Sequence, residues 1–385
     1  MRPPIDSKLP RVGTTIFTVM SRLAAEHGAI NLSQGFPDFE PPVRLVDLVD
    51  GHLRRGGLNQ YAPMAGLPRL REAIAGKVAA YYGCSVDPET AVTVTSGGTE
   101  ALFCAIQAFV GAGDEVILLD PAYDSYEPAV TLAGGRTVRV PLRRPGFSPD
   151  WEQVRSVLTQ RTRLLVLNFP HNPSGTVLTA DDLQALAELL RGSRALVLAD
   201  EVYEHMIFDG RRHHSLLTHA ELAERSLVVS SFGKTLHATG WKVGYCVAPA
   251  ALTAEFRKVH QFVQFAVATP LQAGIADFMA ECPEHARELP AFYQSKRDRF
   301  AQLLGETRFR FAPAASTYFQ LADYSAVSDL PDVEFARWLT TRCGVAAIPI
   351  SVFSAQPPAA ERIVRFCFAK HEATLAAAAL KLRNL

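Results

Sequence analysis

The stretch SLVVSSFGKTLHATGWKVGYCVAP, residues 226–249, places two lysines in a polar, turn-rich segment between two apolar runs. SLVV and VGYCVAP are short and rich in valine, which is typical of strands covered on both faces. We therefore expect Lys234 and Lys242 to lie between two buried strands of one sheet. The letters GKT suggest a phosphate-binding P-loop, but that motif requires a glycine where Val228 stands. The two ammonium groups need another role.

The alternation of strand and helix continues on the N-terminal side of this stretch. Further predicted strands are AVTVTSGG (91–98), EVILLDP (115–121), RTVRVPL (136–142), RLLVLNFP (163–170) and ALVLADE (195–201). The predicted helices are LREAIAGKVAAYYG (70–83), TEALFCAIQAFVGAG (99–113) and LTADDLQALAELLRGS (178–193). Thr179 is the expected N-cap of the last helix, while Gly83 and Gly192 are expected to end the first and last. The pattern predicts an α/β fold with a mostly parallel central sheet and helices on both faces.

The pattern changes near residue 285. A long predicted helix, LPAFYQSKRDRFAQLLGE (289–306), leads to strands near TYFQLADY, VAAIPI and IVRFCFA, which is an α+β arrangement. We therefore expect a small C-terminal domain over residues 286–385 and a large domain over residues 46–285. Residues 1–45 are rich in proline, and we expect them to form an arm that also joins the small domain.

The bulk composition excludes several classes of protein. The 385 residues are 48% hydrophobic and 20% charged, with a formal net charge of zero, so no nucleic-acid partner is expected. The six cysteines are scattered without a C-x-x-C pair, which favours reduced thiols and a cytoplasmic location. The N-terminus lacks a signal-peptide pattern, no apolar run is long enough to span a membrane, and no metal site is predicted.

The predicted strands end in polar or glycine-rich segments, and parallel strands bring such ends to one edge of the sheet. SGGTE (96–100) opens a helix and could bind an anion at its N-terminus, although a glycine before a helix is also common in purely structural turns. Asp200 could cap the next turn or hold a buried cation, and Tyr203 is close enough to share a ligand. Lys234 could be a surface lysine. If partly desolvated, however, it has a lowered pKa that suits Schiff-base chemistry.

These segments together resemble a known family. The matching runs are NLSQGFPDF, NQYAPMAG, VTSGGTEAL, DPAYDSYEP, NFPHNPSGT, ADEVYEH, SSFGKTLHATGWKVGY, GVAAIPISVF and VRFCFAK. In order and spacing they resemble the class I/II aminotransferases, pyridoxal-phosphate enzymes of fold type I. The resemblance covers nearly the whole chain and is strongest to the methionine and kynurenine aminotransferase branch.

The resemblance implies a different role for each of the two lysines. Lys234 matches the lysine that forms a Schiff base with the cofactor and later moves the proton of the substrate Cα. Lys242 matches the basic residue at the cofactor phosphate, together with Ser231, Gly98 and Thr99.

Four further residues match positions around the cofactor ring. Asp200 matches the carboxylate that keeps the pyridine nitrogen protonated, so that the ring can act as an electron sink. Tyr203 and Asn172 match donors to the phenolate oxygen, and Tyr123 matches the aromatic side chain against the ring face.

The remaining matches concern the substrate and a second subunit. Arg365 matches the clamp for the substrate α-carboxylate, and Gly35 matches a residue lining the substrate cleft. Tyr61 resembles the tyrosine that reaches the phosphate from the neighbouring subunit, which implies a homodimer with shared active sites. His171 departs from the pattern, since many relatives have asparagine there; we expect a histidine that supports the site from behind or is merely exposed.

Three activities remain open on these residues. The favoured one is transfer of an amino group from an L-amino acid to a 2-oxo acid. A carbon–sulfur β-lyase would use the same lysine and cofactor, and a regulatory protein would bind the cofactor without turnover. Because NLSQGFPDF contains no basic residue to pair with a second carboxylate, we expect methionine and aromatic amino acids as donors. Glutamine, histidine and kynurenine are further candidates.

Overall fold

The structure, a computed structural model, describes residues 6–358 and 360–385. The first five residues of the expected N-terminal arm therefore lie outside the described residues. The strands are β1 (Ile30–Asn31), β2 (Val92–Thr95), β3 (Glu115–Asp120), β4 (Arg136–Pro141), β5 (Thr162–Asn168), β6 (Leu196–Asp200), β7 (Ser226–Ser231), β8 (Gly244–Val247), β9 (Phe319–Asp323), β10 (Val345–Ala346), β11 (Ile348–Pro349) and β12 (Ile363–Cys367). The helices are α1 (Ile16–Glu26), α2 (Val43–Arg55), α3 (Pro68–Tyr82), α4 (Gly97–Phe109), α5 (Tyr126–Leu132), α6 (Trp151–Val157), α7 (Ala180–Leu190), α8 (Ala220–Ala223), α9 (Phe232–Thr235), α10 (Ala250–Val263), α11 (Thr269–Glu281), α12 (His285–Leu304), α13 (Asp332–Trp338) and α14 (Glu372–Leu382).

Seven strands form the central sheet in the order β2-β8-β7-β6-β5-β3-β4. The neighbours from β7 to β4 are parallel, whereas β8 runs antiparallel to both β2 and β7. The predicted α/β fold with a mostly parallel sheet is confirmed. Asn168 at the end of β5 is paired with Asp200 at the end of β6, and Asp200 with Val229 of β7. The carboxyl ends of these strands therefore meet at one edge.

The sheet is buried on both faces because its strands carry apolar residues in succession. In β3, Val116 and Leu118 pack into one hydrophobic core, and Ile117 and Leu119 pack into the other. Helix α4 covers the first face and α7 the second. This pattern explains why the strands read as continuous apolar runs in the sequence.

The predicted helix ends are confirmed. Thr179 caps α7 in a capping box, in which its side chain and that of Asp182 each accept a backbone N–H from the other residue. Gly83 ends α3 with φ of 67°, and Gly192 follows the end of α7 with φ of 76°. These left-handed conformations cost glycine little, so the helices stop where the glycines stand.

The C-terminal part builds a separate hydrophobic core around α12 and the antiparallel sheet β11-β12-β9. Strand β1 pairs in parallel with β10, so part of the N-terminal segment joins this C-terminal part. The domain boundaries at 45/46 and 285/286 stay predictions; α2 runs across the first, and α12 begins at His285 beside the second. Among the described helices, none combines the length and apolar character needed to cross a bilayer.

Candidate active site

A cavity of about 410 Å³ lies at the sheet edge where β5, β6 and β7 end. It brings together all but one of the residues that the sequence predicted for the site. Those lining it are Gly35, Gly98, Thr99, Tyr123, Asn172, Asp200, Tyr203, Ser231, Lys234, Lys242 and Arg365. These residues come from distant parts of the chain, and the parallel strand ends explain why they meet.

Lys234 lies on the short helix α9, directly after β7. Its Nζ donates to the hydroxyl of Tyr318 at 2.8 Å and to the carbonyl of Gly35 at 3.3 Å. No carboxylate lies within ion-pair distance of this amine among the described residues. Burial lowers the pKa of Lys234 to about 8, because the ammonium form loses its hydration, and the nearby Lys242 acts in the same direction. The amine is thus partly uncharged near neutral pH and can act as a nucleophile and a base.

Asp200 is buried at the end of β6. Its Oδ2 accepts a hydrogen bond from the hydroxyl of Tyr126 at 2.6 Å, and its backbone carbonyl accepts one from Asn168 at 3.0 Å. Burial raises the pKa of Asp200 to about 6, and the bond from Tyr126 offsets part of that rise. Its environment favours a cationic partner, because a positive charge would stabilise the ionised carboxylate.

The N-terminus of α4 forms the opposite, anion-binding end of the cavity. Gly97 has φ of 75°, and a Cβ on Gly98 would lie 3.1 Å from Cγ1 of Val202. The glycines therefore allow a left-handed turn and close packing against the neighbouring strand end. The side chain of Lys242 lies against the start of α4. A Cβ on Gly97 would be 3.4 Å from its Nζ. Backbone N–H groups, the positive end of the helix dipole and an ammonium group thus converge on one point.

Arg365 on β12 is the third cation of the cavity and is only 1% exposed. Its guanidinium donates to Oδ1 of Asn172 at 2.6 Å and to the carbonyl of Ser33 at 3.2 Å, and it lies over the ring of Phe319 at 3.8 Å. Its buried Nε has no hydrogen-bond partner among the described residues. A buried guanidinium without a carboxylate partner is suited to receive an anion in bidentate geometry.

Two of the predicted residues form the aromatic walls. Tyr123 packs edge-on against Tyr126 with ring centroids 5.7 Å apart, and burial raises its pKa to about 12. Tyr203 packs edge-on against Tyr318 at 5.3 Å and against Phe319 at 5.9 Å. Both hydroxyls therefore stay protonated at neutral pH and can donate hydrogen bonds.

The three remaining predictions, for Gly35, Tyr61 and His171, had different outcomes. Gly35 lines the cavity as expected, and a Cβ there would lie 2.7 Å from Cζ of Phe319, so glycine is also required by packing. Tyr61 does not line the cavity; it is 86% exposed and contacts the ring of Phe265. The expectation that His171 could be merely exposed is wrong. Its ring is buried between the hydroxyl of Ser174 and the carbonyl of Pro121, and burial lowers its pKa to about 4.

The sequence reasoning missed Tyr126 and Tyr318, which bind Asp200 and Lys234 directly. Tyr126 lies in DPAYDSYEP, which carried the family resemblance, and Tyr318 lies in TYFQLADY, which was predicted only as a strand. Their positions after β3 and before β9 were the available signal. Nothing in the sequence says which tyrosine of such a segment bonds to a residue of the site.

One group of side chains has the residue types of a metal site. Oε1 of Glu100 accepts hydrogen bonds from Cys104 at 2.9 Å and from Nδ1 of His260 at 2.8 Å. The other ring nitrogen of His260 binds the carbonyl of Met64 at 3.0 Å. The three groups satisfy one another, so their arrangement is explained without an ion.

The residues present fit pyridoxal phosphate. The anion-binding helix start with Lys242 suits the phosphate, and Asp200 suits a protonated ring nitrogen. Lys234 offers the amine that an aldehyde needs, and the unpartnered Nε of Arg365 remains for a substrate carboxylate. The volume of about 410 Å³ lies within the range of small-molecule sites.

Comparison with known proteins agrees with this fit. Residues 27–382 match the family described as aminotransferase class I and II. The chain is 54% identical to a methionine aminotransferase of Escherichia coli, over 99% of this chain and 98% of that protein. It is 36% identical to human kynurenine–oxoglutarate transaminase 1, over 94% of each chain. A solved Escherichia coli structure described as having a methionine aminotransferase function superposes with a TM-score of 0.97, at 54% identity and over 100% of both chains. The chain therefore belongs to the class I and II aminotransferases, pyridoxal-phosphate-dependent enzymes that move an amino group between an amino acid and a 2-oxo acid.

Proposed function

We propose that this aminotransferase takes methionine and aromatic L-amino acids as its preferred amino donors, with glutamine, histidine and kynurenine as further donors. The proposal rests on one observation, the set of charged side chains that line the cavity. Among the described residues that line it, the basic ones are Lys234, Lys242 and Arg365. The cofactor uses the first two and the substrate α-carboxylate uses the third, which leaves no further cation among the described lining residues for a second carboxylate.

The roles around the cofactor follow from chemistry and position. When bound, pyridoxal phosphate supplies a reactive aldehyde carbon and an electron-withdrawing ring. Lys234 would hold the cofactor through its amine, and its Nζ, when free, would accept the proton from the substrate Cα. Lys242 and Ser231 bind the phosphate together with the backbone of Gly98 and Thr99 at the start of α4.

Four side chains orient and tune the ring. Asp200 holds a proton on the ring nitrogen, which its buried carboxylate favours. Tyr203 and Asn172 would donate hydrogen bonds to the ring oxygen, and Tyr123 would pack against the ring. Asn172 also binds Arg365, so it links the cofactor side of the cavity to the substrate clamp.

The pocket for the substrate side chain is lined by aromatic side chains and by one carboxylic acid. Phe17 and Phe36 line it, and so does Asp124, whose pKa is raised by burial. A second carboxylate on the substrate would enter beside Asp124 without a cation to pair with, which is costly. The names of the methionine and kynurenine relatives agree with this preference.

A donor panel tests the substrate proposal. The measurement is kcat/KM for methionine, phenylalanine, glutamine, histidine, kynurenine and aspartate with one fixed 2-oxo acid. We expect methionine and phenylalanine to exceed aspartate by about 100-fold or more, since burying an unpaired charge costs about 3 kcal/mol. Aspartate as the best donor would refute the proposal and indicate a cation from another subunit. Pyruvate release from cystathionine, measured in parallel, distinguishes the β-lyase alternative.

We also propose a homodimer with composite active sites. Tyr61 and Phe262 are 86% and 87% exposed, and Phe265 beside Tyr61 is also exposed, which is unusual for aromatic side chains of a monomer. We expect Tyr61 to reach the phosphate in the partner's cavity. Mixing an inactive Tyr61→Ala variant with an inactive Lys234→Ala variant should restore about a quarter of the wild-type sites through hybrid dimers. Two inactive parents that exchange subunits without regaining activity would refute shared sites.

A cytoplasmic location completes the proposal. All six cysteines are free thiols. Free thiols favour a reducing compartment. Cell fractionation with an antibody against the native protein tests this, and recovery from an oxidising compartment would refute it.

A further inference from the structure

A second cavity, which we call the rear cavity, lies behind the helix that carries Lys234. Its volume is about 400 Å³. Phe232 and Thr235 of α9, with the adjoining Leu236, line the rear cavity, whereas Lys234 of the same helix lines the active-site cavity. One helical turn therefore separates the two cavities.

The other walls of the rear cavity come from helices that reach both parts of the molecule. Helix α3 contributes Gly76 and Tyr81, the end of α11 contributes Phe278 and Cys282, and the start of α12 contributes His285. Farther along, α12 enters the C-terminal hydrophobic core. The rear cavity thus lies where α9, α11 and the long helix α12 meet.

One buried polar side chain of the rear cavity has no partner. His205 is 7% exposed, and neither of its ring nitrogens makes a hydrogen bond among the described residues. The nearest carboxylate oxygen, on Glu204, is 3.9 Å away. Burial lowers the pKa of His205 to about 3, so the ring is neutral and has one free acceptor and one free donor nitrogen. Both ring nitrogens are therefore free to pair, and a bound molecule that pairs with one of them gains a hydrogen bond.

The rear cavity has no buried positive charge available for an anion. Lys77 lines it, but its Nζ is bonded to the Glu204 carboxylate and donates to the hydroxyl of Tyr245 at 3.0 Å. Arg287 also lines the rear cavity, but it is exposed, so its charge stays hydrated. The buried part of the wall is otherwise largely apolar, with the ring of Tyr81 edge-on to His205 at 4.8 Å. These features suit an uncharged aromatic molecule with one N–H or O–H donor.

We propose that the rear cavity is an effector site for such an aromatic molecule, and that its occupancy changes the turnover of the enzyme. Few contacts separate the rear cavity from Lys234. An occupant contacts α9 directly and the start of α12, whose Tyr293 binds Nδ1 of His237 at 3.0 Å. The ring of Tyr293 also lies 5.8 Å from that of Tyr318, which holds the amine of Lys234. An occupant that shifts either helix therefore shifts the position of Lys234.

Indole is the probe, and Cys282 reports on its binding. Cys282 is half-buried in the wall of the rear cavity, and Cys343 is a half-buried thiol elsewhere that serves as the internal control. The holoenzyme is treated with N-ethylmaleimide, and the alkylation rate of each cysteine is followed by peptide mass spectrometry. Indole at about four times its dissociation constant should slow alkylation of Cys282 about fivefold and leave Cys343 unchanged. No protection of Cys282 up to the solubility limit of indole would overturn the proposal.

A pair of variants at Gly76 separates the rear cavity from other sites. A Cβ on Gly76 meets no heavy atom within 4 Å, so a larger side chain there grows into free space on the cavity-facing helix. Gly76→Leu should abolish protection of Cys282, and Gly76→Ala should retain it. Equal protection in both variants would show that indole binds elsewhere.

Steady-state kinetics test the effect of the occupant on turnover, and a modified probe tests its hydrogen bond to His205. Indole should change kcat for methionine even at saturating methionine, whereas purely competitive inhibition would place it in the active site and refute the effector role. 1-Methylindole, which lacks the N–H donor, should protect Cys282 with about two- to tenfold weaker affinity. Equal affinity of the two probes would refute pairing with His205.

Discussion

Two buried acid–base pairs lie on opposite sides of helix α9, and they behave in opposite ways. On the active-site side, Lys234 is half-buried, Asp200 is buried, and the two do not touch each other. The pKa of the lysine falls to about 8 and that of the aspartate rises to about 6. On the other side, the half-buried Lys77 forms a direct ion pair with the buried Glu204. There the pKa of the lysine is raised and that of the glutamate is lowered.

The difference shows that pairing, not burial, decides what a buried charge does. In both pairs the loss of hydration disfavours the charged form, and it is the largest single influence on the pKa of each of the four groups. The Lys77–Glu204 contact overcomes it and fixes both charges. Lys234 and Asp200 have no such contact, so each remains available to a ligand of suitable charge or chemistry. The two acidic residues are only four positions apart, at the end of β6 and in the turn that follows.

The largest expected effect is on turnover. Lys234→Met keeps most of the side-chain volume but removes the amine, so kcat should fall by about 10⁴-fold or more, because the nucleophile and the base are lost together. Lys77→Met is the matched control, since it removes another half-buried amine, one that does not line the active-site cavity. Borohydride reduction of the wild-type holoenzyme should attach the cofactor to the peptide containing Lys234. Attachment to Lys242, or a comparable loss of kcat in folded Lys77→Met, would contradict this assignment.

The next largest effect is on the free energy of unfolding. Here Lys77→Met should have the larger effect, whereas Lys234→Met has the larger effect on kcat. In the apoenzyme, Lys77→Met leaves the buried Glu204 carboxylate without its cation, and the free energy of unfolding should fall by about 3–5 kcal/mol. Lys234→Met removes a buried ammonium that has no carboxylate partner, so the free energy of unfolding should stay the same or rise. Urea unfolding of the two apo variants beside the wild type measures both. Equal destabilisation by the two substitutions would mean that the contrast between a paired and an unpaired lysine is wrong.

The sequence predicted the positions of these groups better than their partners. Lys234, Asp200 and the start of α4 were placed correctly because parallel strands bring their carboxyl ends to one edge, whatever the side chains do. Arg365 and Gly35, which lie far away in sequence, were placed only through the resemblance to a family. Local patterns carry no information about contacts of that separation.

Partners and burial were harder to predict because they depend on packing in three dimensions. The Lys77–Glu204 pair joins α3 to the turn after β6, and neither residue stands out in its own segment. His171 reads as a polar residue of a turn, yet its ring is buried between Ser174 and Pro121. Tyr126 follows a strand end like its neighbour Tyr123, and only the packed structure shows that it is the one that bonds Asp200.

The smallest expected effect concerns that bond. Tyr126 donates to Oδ2 of Asp200 at 2.6 Å, which stabilises the ionised carboxylate and lowers its pKa. Tyr126→Phe should therefore raise the pKa of Asp200 above that of the wild type. At pH values where the group titrates, fewer molecules then carry the carboxylate that holds the proton on the ring nitrogen.

The measurement is kcat/KM for methionine from acidic to alkaline pH in the wild type, Tyr126→Phe and Tyr123→Phe. In Tyr126→Phe the acidic limb should move to higher pH, with a loss of up to about tenfold on that limb, as expected for one buried hydrogen bond. At alkaline pH, where Asp200 is ionised in both proteins, the loss should shrink. Tyr123→Phe removes a neighbouring hydroxyl without a bond to Asp200, so its acidic limb should stay in place. A loss that is uniform across pH in Tyr126→Phe would mean that the hydroxyl supports packing and does not tune the carboxylate.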